Sequence, residues 1–214
     1  MKAILRINHK VFYNNIWIVI PSIITIFIYM FNIYVQNNIF NIHMVFGNDK
    51  NTFYQILLNF IINFTYVYYY FLIYKFHVSL NKDSIILRMN ENNFTRSIII
   101  TYIMIIIIIS SMLLFSTAFF SFVLFKRIVV LSLMEFLQFI FSKIIIALIV
   151  LIMISLFKHD ILIVSVLYII DFFFFDYSII TYNIVNFNTL LLQAFTIIVL
   201  IILIRRIRDR NIYL

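Results

Sequence analysis

The chain has no cysteine, one glycine, one proline and few charges: of its 214 residues, 11% are charged and 65% hydrophobic. Without cysteine there is no disulfide framework, no thiolate metal site and no cysteine nucleophile. With Gly47 as the only glycine, every glycine-rich phosphate loop is excluded, because such a loop needs several backbone positions without Cβ. Any ATP this protein depends on is therefore bound by another chain. The shortage of charge is equally restrictive, since soluble domains carry about a quarter charged residues. A water-exposed surface of this composition would aggregate.

The charges that are present are spaced. Residues 11–48, 51–74, 97–125 and 177–204 contain no Asp, Glu, Lys or Arg, and short basic clusters separate the runs. Each run exceeds the roughly 20 apolar residues that cross a hydrocarbon core. An all-α polytopic membrane protein is the fold class that follows. The net charge of +8 could suggest nucleic acid, but the basic residues flank apolar runs, where lipid headgroups and the positive-inside bias favour them. Membrane lipid is the expected partner and nucleic acid is not. The Ile, Asn, Phe, Tyr and Lys bias is that of an AT-rich genome, which points to a bacterial plasma membrane, although an organelle genome could share the bias.

The chain lays out as one transmembrane domain, 1–214, with six spans and both termini cytoplasmic. Residues 1–11 carry Lys2, Arg6 and Lys10 around Ile4, Leu5 and Ile7, a pattern for an amphipathic helix on the membrane surface. No small-residue cleavage site follows, which argues against a signal peptide. Span 1 is placed at 12–35, with Trp17 at its interface and Pro21 in its first third. Span 2 follows at 53–75, span 3 at 98–122, span 4 at 137–157, span 5 from 161 to Asp171 and span 6 at 187–204. The segment 171–188 is too polar at intervals to span and too apolar for a solvated loop, so it reads as a re-entrant or interfacial outer hairpin. This layout puts 12 of the 16 Lys and Arg inside. Lys126 with Arg127, on an outer turn, is the one clear conflict.

Polar residues inside the spans are the candidates for function. In span 2, Gln55, Asn59, Asn63, Tyr66, Tyr70, Tyr74 and His77 recur at helical spacing and occupy roughly 100° of arc. They either bond neighbouring helices or wall a substrate path. Span 1 repeats the pattern with Ser22, Thr25, Tyr29, Asn32 and Gln36. Ser110, Thr117 and Ser121 form a small-residue seam on span 3, suited to close helix approach. Glu135, Gln138 and Lys143 fall at or near membrane depth, where ionisable groups are functional by default. Glu135 and Lys143 are about 80° apart around a helix and could face one cavity. The alternative puts Glu135 at the outer interface, with Lys143 snorkelling or paired structurally. The four histidines lie in separate connections or span ends without metal-ligand spacing, and no catalytic motif occurs, so neither a metal site nor enzymatic activity is expected.

The loop after span 2 reads YKFHVSLNKDSIILRMNENNFTRSIIITYIM. An apolar-basic element, Ile85-Ile86-Leu87-Arg88, a polar turn, and Phe94-Thr95-Arg96 running into the next span resemble the first cytoplasmic loop of small bacterial ABC-2-type permeases. The surface helix, Trp17 before Pro21, the polar hairpin and the basic tail are further shared features. Asn92 and Asn93 stand where many relatives have a second basic residue. The resemblance implies a coupling segment, 78–96, that docks on a cytoplasmic ABC ATPase dimer through Ile86, Leu87, Arg88, Met89, Glu91 and Phe94. It implies ATP and magnesium on that partner and no cofactor on this chain. It also implies a second permease subunit, identical or homologous, with Gln55, Asn59, Asn63, Tyr66 and Tyr70 on the path of an exported amphipathic peptide or hydrophobic toxin. Two other roles are compatible with the composition. One is a non-transporting immunity protein that binds and blocks a bacteriocin. The other is the membrane subunit of a vitamin importer, against which the scarcity of small residues counts.

Overall fold

The computed structural model of the protein describes residues 13–36, 40, 45, 53–79, 91–156 and 187–211. Among these there is no strand, and five α-helices follow a short 3-10 turn at Ile16–Ile18: α1 Val19–Val35, α2 Phe53–Ser79, α3 Glu91–Phe125, α4 Leu133–Leu156 and α5 Phe187–Asn211. Four stretches, Ile16–Val35, Arg96–Phe125, Leu133–Ile152 and Phe187–Ile207, are long and apolar enough to cross a membrane, while α2 contributes the shorter apolar stretch Leu57–Leu72. The all-helical membrane architecture read from the charge-free runs is thus present, with expected spans 1, 2, 3, 4 and 6 corresponding to α1–α5. Span 5, the surface helix 1–11 and nearly all of the hairpin 171–188 lie outside the described residues. Phe187 and Asn188, the hairpin's last two residues, begin α5.

Several boundaries differ from the sequence reading, each for a physical reason. The 3-10 turn before α1 directs the Val19 N–H to the Ile16 and Trp17 carbonyls. Pro21 therefore falls in the first turn of the α-helix proper, where its missing N–H is not needed. No neighbouring helix has to compensate for it. Helix α3 starts at Glu91, seven residues before the expected span, and runs for 35 residues. At 1.5 Å per residue it is about 52 Å long, well beyond a hydrocarbon core of about 30 Å. Glu91 and Phe94 of the expected coupling segment are accordingly the opening turns of the span 3 helix and not part of a separate element.

Side-chain contacts fix the helix directions. Ser22 of α1 meets Thr65 of α2 at 2.7 Å between hydroxyls, and the Tyr69 hydroxyl donates to the Asn15 carbonyl at 2.7 Å, so α1 and α2 are antiparallel. Phe27 and Phe120 make an edge contact at 5.1 Å, and Tyr34 and Phe125 another at 5.8 Å, which sets α1 and α3 parallel. Across α2 and α3, Tyr66 pairs with Ser110 and Tyr70 with Tyr102, again antiparallel. Helices α1, α2 and α3 therefore alternate in direction. Helix α5 packs chiefly on α4.

The corner between α3 and α4 is tightly made. Lys126 adopts φ 58, the left-handed region that ends α3, and its N–H donates to the Phe122 carbonyl at 3.0 Å. Ser121 Oγ then accepts from Val129 N–H at 3.1 Å. At the start of α4 the Ser132 N–H donates to the Glu135 carboxylate at 2.8 Å, and the Glu135 N–H donates to Ser132 Oγ at 3.3 Å. This reciprocal pair is a capping box. The Glu135 carboxylate thus caps the first turn of α4, where the positive pole of the helix stabilises it.

Candidate functional site

The polar face of α2 turns into the bundle. Asn59, Asn63, Tyr66 and Tyr70 are all buried, whereas Leu57, Phe60 and Phe64 on the opposite side are exposed. Gln55 lies in the first turn of α2, and its side chain, like those of Tyr74 and His77, is not among those described. Asn63 and Tyr66 meet α4 at the one cation among the buried side chains described, Lys143, which is 1% exposed at the midpoint of its helix.

The contacts around Lys143 are specific. Its Nζ donates to Asn63 Oδ1 at 2.7 Å. The same ammonium stands 5.7 Å from the centroid of the Tyr66 ring and 5.8 Å from that of Phe139, both within the reach of a cation–π contact, about 6 Å. The two rings meet nearly edge to face, 6.3 Å apart with planes at 71°. Tyr66 is held in place by its hydroxyl, 2.8 Å from Ser110 Oγ. The Tyr70 hydroxyl donates to the backbone carbonyl of Lys143 at 3.1 Å, and the Tyr102 hydroxyl donates to the carbonyl of Tyr70 at 2.9 Å. Helices α2, α3 and α4 are thus joined through one polar centre.

Such a centre is chemically distinctive. A buried ammonium is costly to desolvate and persists only where acceptors and polarisable faces compensate it. Here an amide oxygen and two aromatic faces do so. The centre binds and holds a cation; it has no nucleophile–base pair in its described contacts.

The sequence-derived candidates divide accordingly. Lys143, Asn63, Tyr66 and Tyr70 come together. Gln138 and Asn59 are buried near them in sequence, on α4 and α2. Glu135 does not join them, for the reason given above. Ser110, Thr117 and Ser121 are fully buried, as a small-residue seam should be. Of the coupling residues, Ile86, Leu87, Arg88 and Met89 lie outside the described residues. On α1 the polar pattern is only partly inward: Ser22 and Tyr29 are buried, while Gln36 is exposed and bonds Asn32 at 3.4 Å.

Two participants escaped the sequence reading. Tyr102 was hidden beside Thr101 in an isoleucine-rich run. Gln193 of α5 is 4% exposed, and among the described residues neither its Oε1 nor its Nε2 has a hydrogen-bond partner. Its signal was available: a single carboxamide inside the otherwise apolar LLLQAF.

Comparisons with protein-family models, with curated proteins and with solved structures find no match to this chain.

Proposed function

We propose that the chain is the permease subunit of a bacterial ABC exporter, working with a second permease subunit and a cytoplasmic ATPase dimer to move an amphipathic peptide or hydrophobic toxin across the plasma membrane. What supports the reading most is the buried Lys143 centre, because ionisable groups at membrane depth are costly and mark substrate or ion pathways. Helices α2, α3 and α4 give the centre walls that move against one another in this reading. In this reading the hydrogen-bonded interior is the closed state, and opening separates α2 from α4 at Asn63, Tyr66 and Lys143.

The remaining assignments follow from the same reading. Six spans with cytoplasmic termini put the 78–96 connection on the ATPase side. The start of α3 at Glu91 shortens the linkage, since a movement imposed on 80–90 would pass directly into a helix that reaches Ser110 and its bond to Tyr66. The test is co-purification from the native membrane followed by transport. An ATPase should copurify with the wild type, and Leu87→Asp should release it or uncouple hydrolysis from transport while the protein still inserts. If Leu87→Asp keeps both a bound ATPase and full transport, the reading fails, and a bacteriocin-blocking immunity protein replaces it.

A further inference from the structure

The surroundings of Lys143 Nζ are those of an ammonium receptor. One amide oxygen, Asn63 Oδ1, lies 2.7 Å away, and the rings of Tyr66 and Phe139 flank it at 5.7 and 5.8 Å. An oxygen acceptor with two aromatic faces is the arrangement that recognises alkylammonium ligands. The receptor is preorganised from outside, because Ser110 holds the Tyr66 hydroxyl at 2.8 Å, and Phe139 packs edge to face on the Tyr66 ring. Its present occupant is tethered by a flexible four-carbon stem, which can withdraw the charge without unfolding the helix. Tyr70 meanwhile bonds the backbone carbonyl of Lys143, so the helix stays fixed when the side chain moves.

We propose that Asn63, Tyr66 and Phe139 form an alkylammonium-binding site that Lys143 fills in the closed state, and that a primary ammonium of the substrate, a lysine side chain or an amino terminus, takes its place when Lys143 withdraws. Lys143 is then an internal competitor. An amphipathic substrate without a cation does not displace it, and the site selects cationic ones. The inference deepens the transport reading and rests on it for its physiological meaning. Binding is nevertheless a property of this chain alone and can be measured without an ATPase.

The experiment uses the full chain in lipid nanodiscs, radiolabelled methylammonium as the probe and protein-free nanodiscs as the blank. Lys143→Met and Lys143→Leu empty the site while keeping apolar volume, a change that is commonly tolerated at buried charges. Both variants should bind methylammonium at least tenfold more tightly than the wild type, with displacement by unlabelled methylammonium and not by neutral acetamide. In the Lys143→Met background, Tyr66→Phe should keep that binding because the ring face remains, whereas Tyr66→Leu and Asn63→Leu should each reduce it about tenfold. The proposal is overturned if the folded variants bind no better than the wild type, or if Tyr66→Leu changes nothing. It is also overturned if neither Lys143 variant folds, since the ammonium would then be a fixed structural member. Loss of ATPase co-purification with methylammonium binding intact would remove the transport reading and leave the receptor standing.

Discussion

Helices α4 and α5 are both long and apolar, yet 67% of the apolar stretch of α4 is buried in the bundle against 17% of that of α5. Helix α4 meets α2, α3 and α5, whereas α5 leans mainly on α4. Their polar residues differ in the same sense. Lys143 on α4 is held by Asn63 and two aromatic rings, but Gln193 on α5 is buried with both amide atoms unsatisfied among the described residues. The outward side of α5 exposes Leu191, Leu192, Phe195, Ile198 and Ile202. In lipid such exposure costs nothing, because hydrocarbon chains solvate leucine as well as a protein interior does. The comparison teaches that apolar content does not decide which helix is central here. Lys143 on α4 takes its described partners from α2 and from α4 itself, and α4 is the more enclosed of the two helices.

Breaking the satisfied centre should have the largest effect. Asn63→Leu removes the oxygen from a buried ammonium, and a loss of about 3 kcal/mol is expected from the cost of breaking a buried charged contact. Reversible denaturation in bicelles measures it, and a neutral result would show that the α2–α4 contact is not what holds the bundle. The second prediction runs the opposite way on α5. Gln193→Leu removes an unsatisfied buried amide and should stabilise the protein by about 1–3 kcal/mol; destabilisation would mean that Gln193 has a bonding role in the membrane.

A smaller effect is expected at the corner that leads into α4. Ser132→Ala deletes one half of the capping box with Glu135 and should cost about 1 kcal/mol, seen as faster amide exchange in the first turn of α4 before any change near Lys143. If exchange quickens uniformly along the helix, the corner and the centre are one cooperative unit. The smallest effect belongs to the lipid-facing side of α5: Leu192, 69% exposed, should tolerate replacement by Ala within about 0.5 kcal/mol. A larger loss there would mean that another protein surface, not lipid, covers α5.

Much of this architecture was legible in the sequence. The charge-free runs mark the bulk of α1, α2, α3 and α5, the charge-poor stretch around Glu135 and Lys143 marks α4, and the helical spacing of Asn59, Asn63, Tyr66 and Tyr70 put them on one buried face. The same spacing could not say whether that face was a path wall or a packing surface, and in the structure these side chains are buried in the bundle. Glu135 illustrates the limit from the other side. Its SLME context carries a capping-box pattern, Ser132 to Glu135, whereas the sequence reading weighed the residue only by depth, inside the membrane or at the outer interface, and not by its local hydrogen bonds.

What the sequence by itself determined is a set of helices, four of them long and apolar enough to cross a membrane: hydropathy is a sum along one segment, and a backbone in hydrocarbon must satisfy its own hydrogen bonds. What only the tertiary structure decided is which polar groups meet. Asn63 and Lys143 are 80 residues apart and bond because α2 and α4 present them at one depth and one azimuth. Gln193, with similar chemistry, is left unsatisfied because α5 offers it no such partner among the described residues. Depth can be read from position in a span, but azimuth relative to another helix comes from side-chain packing, and that exists only after the helices have assembled.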